Sequence, residues 1–162
     1  MANIVDSGNR REFDSGAVRD IQEGKGRCDL LPLDVIGDLL HNKFFNYMYD
    51  FNNELNVDLY TSDIYEALEV LYPDSESFDD IYTMVLEVAK HFEDGAKKYG
   101  ERNWEKGIPI HCYVDSSVRH YLKWLCGDKD ERHDRACAWN LLCALWTLKH
   151  HPELDDRPCS NK

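Results

Sequence analysis

The sequence predicts an all-α bundle of about four to six helices. Three observations carry that prediction. Apolar residues recur at helical spacing in segment after segment, and no stretch alternates convincingly with period two. Five prolines and nine glycines in 162 residues leave long runs free for regular structure. A hydrophobic fraction of 43%, with 12% aromatic, is enough to build one packed domain of this length.

Residues 1–29 read as an extended arm with turns, ordered only by docking, because Gly16, Gly24 and Gly26 stand among charges without periodicity. Arg19, Lys25 and Arg27 sit close together there, as either a solvated tail or a basic arm that closes over a bound phosphate. The bundle is expected over residues 30–151. Pro32 to Leu40 starts a short helix on Val35, Ile36, Leu39 and Leu40, and the aromatic-rich run Phe44 to Phe51 can pack across it. Ser62 caps Asp63 to Leu71, which Pro73 stops.

A longer helix is expected from about Phe78 to Lys98, with Ile81, Val85, Val88, Ala89, Phe92 and Ala96 as its stripe and Gly100 as its end. After the loop holding Gly107 and Pro109, Ser116 or Ser117 is the expected cap of a helix running to about Cys126. Gly127 breaks it, and a last helix follows from about Asp130 to His150, lined by Ala138, Leu141, Leu142, Leu145 and Leu148. Residues 152–162 read as a polar tail.

Charge and cysteine usage narrow the function. A formal charge of −12, from 31 acidic against 19 basic residues, repels nucleic-acid backbones and anionic membranes. A locally basic pocket for a small anion is compatible with it. No apolar run approaches the ~20 residues of a membrane span, and Met1 to Arg11 lacks the apolar centre of a secretion signal. The six cysteines form no C-x-x-C pair, which argues against a disulfide or zinc framework. The chain reads as cytoplasmic.

Two polar clusters resist a purely structural account. In the first, Glu93 to Gly107, a helix ends in Lys97, Lys98, Tyr99 and Arg102, then Asn103 and Trp104. The cations suit phosphate charge, while Trp104 and Asn103 can stack on and hydrogen-bond a base. Equally, a basic last turn can complement the helix dipole, with Trp104 packed on the core. In the second, Arg119 and Lys123 are four apart and share a helix face, so both can point at one anion. Glu131 and Asp134, three apart at a helix start, suit an oxygen-ligated Mg²⁺ or Mn²⁺ that bridges to phosphates; an acidic first turn on its own needs no metal. His120 and His133 are each either core histidines or contacts to phosphate and metal.

The ordered strings Gly24-Lys-Gly-Arg-Cys-Asp-Leu-Leu-Pro32, Gly95-Ala-Lys-Lys-Tyr-Gly-Glu-Arg-Asn-Trp104, Ser117-Val-Arg-His-Tyr-Leu-Lys-Trp124 and Trp139-Asn140 resemble the phage and prophage dATP/dGTP diphosphohydrolase N-terminal-type family. That family is similar to the all-α MazG-like nucleotide pyrophosphohydrolases. The resemblance implies metal-dependent hydrolysis of a purine deoxynucleoside triphosphate to monophosphate and pyrophosphate, by an oligomer. It implies Glu93, Glu131 and Asp134 as catalytic metal holders, completed by Asp128 or Asp130. Arg119, Lys123 and Lys97 or Lys98 then bind phosphate oxygens. Arg27, Tyr99, Asn103, Trp104, His120 and Asn140 complete the nucleotide contacts.

The sequence departs from the MazG-like pattern in one respect. Glu131-x-x-Asp134 matches the second carboxylate pair, but Glu93 has Lys90 before it and Ala96 after it where a paired Glu is expected. Glu87 lies six residues earlier, and Glu66-x-x-Glu69 has the right spacing outside the matching strings. An incomplete carboxylate set beside a basic, aromatic pocket also fits a non-catalytic protein that sequesters a host immune signalling nucleotide. A structural or protein-interaction module is the third alternative.

Overall fold

The computed structural model describes residues 8–21, 27–31, 43–53 and 79–160. The expected helices at Pro32–Leu40 and Asp63–Leu71, and the Glu66-x-x-Glu69 pair, lie outside the described residues. Four α-helices are described: α1 (Lys43–Asn53), α2 (Asp79–Tyr99), α3 (Ile110–Leu125) and α4 (His133–His150). The chain is mostly helical, as the periodicity predicts. Helices α3 and α4 form the central pair, with α2 packed on α4 and α1 on α3.

The sequence spacing explains the core. On α1, Phe44, Phe45, Met48 and Phe51 occupy one stripe and are buried. Phe44 stacks on Tyr121 of α3 with ring centroids 3.9 Å apart at 15°, and Phe45 meets the same ring edge-on. Each such buried aromatic contributes roughly 1.5–3 kcal/mol. On α4, the small residues Cys137, Ala138 and Ala144 are buried along with Leu141 and let α3 approach closely.

Two helix starts differ from the sequence expectation. Helix α3 begins at Ile110 behind Pro109, about two turns before Ser116. Ile110, Tyr113, Val114, Ser117, Val118 and Tyr121 are all buried and follow the 3, 4, 7, 8 spacing of a helix face. The intervening His, Cys, Asp and Ser obscure that stripe in the sequence. Helix α4 begins at His133 rather than Asp130, because Lys123 and His120 hold the Asp130 and Glu131 side chains before the helix starts.

Helix α3 ends at a Schellman cap: Gly127 at φ 73° donates to Trp124 O at 2.9 Å and Asp128 N to Lys123 O at 3.0 Å. This cap turns the acidic 128–131 loop back over the end of α3.

Part of the N-terminal arm forms a hairpin. Strands β1 (Arg10–Glu12) and β2 (Val18–Asp20) pair antiparallel, with Arg11 opposite Arg19. Three residues per strand are too few to produce a visible period-two pattern. Gly16 at φ 78° allows the tight turn, and Ala17 is fully buried. Val18 is held through its backbone by Asn103, which accepts from its N–H at 3.0 Å and donates to its carbonyl at 2.9 Å.

The C-terminal segment also docks. Arg157 is 1% exposed, donates to Phe51 O at 2.6 Å, and pairs with Asp155 at 2.8 Å. Its guanidinium also lies over the Phe51 ring, and Cys159 N donates to Asn52 O.

Candidate functional site

A cavity of about 860 Å³ opens between the hairpin, the C-terminal half of α2, the 103–106 turn and the facing sides of α3 and α4. Arg19 enters it from β2. Its Nη2 donates to Ser116 Oγ at 3.0 Å and Asn140 Oδ1 at 2.8 Å, and the guanidinium lies over the Tyr113 ring. Its Nη1 is buried without a hydrogen-bond partner among the described residues. Trp139 lines the same cavity and its buried Nε1 also has no partner. Two orphaned donors on one cavity suit an acceptor-rich ligand.

The cationic wall continues on α3 and α2. Arg119 pairs with Asp115, which is 1% exposed, at 2.8 Å and reaches Ser116 Oγ at 3.2 Å. Asp115 in turn accepts from Cys28 N at 2.6 Å, tying the 27–31 segment to α3. Lys98, with an 8% exposed side chain, lies 4.0 Å from Asp20 and near the Tyr99 ring. Lys123 bridges Asp130 at 2.9 Å and Asp128 at 3.4 Å, and its hydrogen bond holds Asp130 down to about 2.

The opposite end carries histidine and carboxylate. His120 Nδ1 lies 3.0 Å from His133 Nδ1 and 3.1 Å from Glu131 Oε1, and the latter is 3.5 Å from His133 Nδ1. Burial pushes His120 well below its ordinary value, helped by the positive potential of His133 and Arg119, so the imidazole is a neutral donor ligand. On its other edge His133 Nε2 meets Asp130 at 2.6 Å, with Asp128 at 3.9 Å. Among the described residues, His120–Glu131–His133 and Asp128–Asp130–His133 are the groups with ligand atoms close enough to share one ion.

Of the residues expected from the sequence, Lys98, Tyr99, Asn103, Trp104, Arg119, His120, Lys123, Glu131 and Asn140 line this one cavity. Asn103 and Trp104 are partly committed elsewhere, however. Asn103 holds the hairpin backbone, and Trp104 packs edge-on against Phe92 and Trp146. Asn140 accepts from Arg19 and donates to Ala136 O at 2.7 Å.

The proposed carboxylate set is not gathered in the same way. Glu93 touches the cavity, but its side chain is 65% exposed and pairs with Lys97 at 2.5 Å. Asp134 faces away from Glu131 in its contacts, taking Arg132 at 2.5 Å and 3.0 Å. Arg27 pairs with Asp29 beyond the cavity lining, as Lys97 does with Glu93. The six-residue-earlier Glu87 binds Lys90, Arg132 and Arg135 instead of an inward partner.

Several cavity residues were not assigned from the sequence. Arg11 lies on a strand too short to signal itself, whereas Arg19, expected in either a solvated tail or a basic arm over phosphate, enters from the paired strand. His91 is indistinguishable from a core residue on the α2 stripe, one position before Phe92. Asp115 falls just before the expected cap at Ser116 or Ser117, and nothing in the spacing signals its burial. No helix among the described residues is long and apolar enough to cross a membrane.

Residues 80–157 match the family model described as dATP/dGTP diphosphohydrolase, N-terminal. The match spans a little under half of the chain, including all of α3 and α4 and nearly all of α2, and it supports the resemblance carried by the three later sequence strings. No curated relative and no solved structure matches the chain.

Proposed function

We propose, from the family match over residues 80–157, that this protein hydrolyses a purine deoxynucleoside triphosphate to the monophosphate and pyrophosphate in the 860 Å³ cavity. The observation that carries the reading is the buried Arg19 guanidinium, whose orphaned Nη1 shares the cavity with Arg119, Lys98 and Lys123. Arg119, Lys98 and Lys123 pair with Asp115, Asp20 and Asp130 in the cavity, and with Arg19 they would offer donors to phosphate oxygens, although the chain as a whole is acidic. The unpaired Trp139 indole N–H supplies a donor to the nucleoside or to a phosphate oxygen.

A divalent ion is part of this reading, and His120, Glu131 and His133 are the residues to hold it. Two imidazole nitrogens and one carboxylate oxygen suit Mn²⁺ better than Mg²⁺, which prefers oxygen alone. The ion supplies charge neutralisation at the scissile phosphoanhydride and lowers the pKa of an attacking water. The chain's own residues do the rest. Arg119 and Arg19 hold phosphate oxygens in line, and Lys123 stabilises charge developing on the pyrophosphate leaving group. Asp130, kept ionised by Lys123, faces His133 Nε2 at 2.6 Å and would orient that imidazole toward the ion.

The test is incubation with the four deoxynucleoside triphosphates and Mn²⁺ or Mg²⁺, with products resolved by ion-exchange chromatography. Purine monophosphate and pyrophosphate in equal amounts support the proposal. Tightly bound nucleotide recovered unchanged after heating the protein refutes hydrolysis. That result favours sequestration, a reading the dispersed Glu93 and Asp134 also allow.

A further inference from the structure

A second reactive cluster lies on the cavity wall away from the histidine and carboxylate end. At the first turn of α3, His111 Nε2 lies 3.3 Å from Cys112 Sγ, while His111 Nδ1 hydrogen-bonds a carboxylate oxygen of Asp156. The other Asp156 oxygen accepts from the His111 backbone N–H at 2.9 Å, which fixes the carboxylate relative to the ring. From β1, Arg11 Nη2 reaches the same sulfur at 2.9 Å. Cys112 is 3% exposed and lines the cavity beside Arg11.

We propose that Cys112, with His111 Nε2 and Arg11 Nη2 on its sulfur and Asp156 orienting the imidazole, is a site of modification by peroxide and soft electrophiles. A carboxylate, an imidazole and a sulfur in series is the arrangement that activates cysteine nucleophiles, because an imidazolium next to sulfur favours the anion. Arg11 adds a second, permanent positive charge on the opposite element. The wider neighbours of the sulfur are Arg27, which senses it electrostatically, and the Tyr113 phenol. No carboxylate contacts the sulfur among the described residues; Asp156 stands behind His111. The His111 ring is pushed up to about 10, first by its Asp156 hydrogen bond and then by Cys112, so it is protonated at neutral pH.

The oxidation balances with these groups alone plus peroxide. The sulfur attacks one peroxide oxygen, the S–O bond forms as the O–O bond breaks, and two electrons pass from sulfur to peroxide. The departing hydroxide takes the His111 Nε2 proton and leaves as water, giving a sulfenic acid and a neutral imidazole.

The experiment is independent of the nucleotide reading. The full chain is treated with a limiting amount of iodoacetamide at pH 8 and at pH 6, and labelling is quantified at Cys112 and at exposed Cys126 by peptide mass spectrometry. A free thiol slows roughly 70-fold over that interval. The Cys112 to Cys126 labelling ratio is expected to rise at least about 10-fold as pH falls. His111→Gln is expected to abolish that rise, and dimedone after hydrogen peroxide is expected to mark Cys112 in the unsubstituted protein. A ratio that stays constant between the two pH values overturns the proposal, as does a Cys112 that stays unlabelled at pH 6 while Cys126 reacts. Should His111→Gln not fold, the ratio in the unsubstituted protein decides by itself.

Discussion

The Nδ1 atoms of His120 and His133 lie 3.0 Å apart, and Glu131 Oε1 approaches both. Two buried imidazoles face each other there through the atoms that would otherwise each seek a proton donor. One proton shared between them satisfies the pair; one cation satisfies all three groups. Isothermal titration is therefore expected to show Mn²⁺ binding at least about 10-fold tighter than Mg²⁺, following the nitrogen content of the site. Equal affinities, or binding that survives His120→Ala together with His133→Ala, would rule this group out as the ion's home.

Glu131→Gln keeps the shape of the side chain and removes its charge. Hydrolysis is expected to fall roughly 100-fold, while nucleotide affinity measured without metal changes less than about threefold. Equal loss of both would place Glu131 in nucleotide binding instead.

Arg19→Ala removes the cavity's orphaned guanidinium and both of its hydrogen bonds to Ser116 and Asn140. Charged hydrogen bonds contribute about 1.5–3 kcal/mol, so triphosphate affinity is expected to drop about 10–100-fold, with a smaller loss for the nucleoside. Calorimetry on the two ligands separates a phosphate contact from general loosening of the hairpin. Equal losses would mean loosening.

His91 supplies a pH dependence. Burial lowers it to about 4, from an ordinary value of 6.5, against an opposing pull from Asp94. Because its folded value is depressed, the unfolded chain binds the extra proton between the two values, and stability is lost as pH falls through that window. From pH 7 to pH 5 this amounts to roughly 2 kcal/mol. Urea unfolding at both values, repeated on His91→Gln, should show the slope shrinking in the variant. An unchanged slope assigns the dependence elsewhere.

Gly107 sits at φ 95°, and a Cβ there would lie 2.4 Å from Leu154 Cδ1. Gly107→Ala is expected to cost at least about 2 kcal/mol, from backbone strain and displacement of Leu154 together. Adding Leu154→Ala should recover the steric part alone, so the double variant should melt above the single one. A double variant no more stable than the single would refute the contact.

Much of the bundle was readable because its helices are amphipathic over three or more turns. The run from Asp79 to Tyr99 ends where Gly100 predicts, while the aromatic run Phe44 to Phe51, expected to pack across Pro32–Leu40, stacks through Phe44 on Tyr121 of α3, and Pro32–Leu40 lies outside the described residues. The early start of α3 was hidden because His111, Cys112, Asp115 and Ser116 are polar residues that the structure buries or half-buries. Sequence reasoning treats such residues as solvent-facing unless a partner is visible, and the partners here come from distant segments. Arg11 and Arg19 arrive from a hairpin, and Asp156 from beyond α4.

The same limit shaped the site. Spacing within one helix brought Arg119 and Lys123 to one cavity, since positions along a helix are nearly fixed by its geometry, whereas Glu131 arrives from the loop before α4. It could not show that Asp134 turns to Arg132, or that His133 rather than Asp134 joins Glu131. Both outcomes depend on the two loop residues before α4, whose conformation no periodicity encodes.

The bond from Arg19 to Asn140 closes a loop of 121 residues. Joining points so distant along the chain carries an entropy cost that local helix formation does not. Docking of the hairpin onto α3 and α4 is therefore the step that a bound ligand is expected to reinforce. A molecule whose binding-competent form is a fraction of the whole shows an affinity reduced by that fraction. Nucleotide occupancy and hairpin docking then become one equilibrium seen from two ends: ligand should slow amide exchange in residues 10–20, of which Arg11, Val18, Arg19 and Asp20 line the cavity.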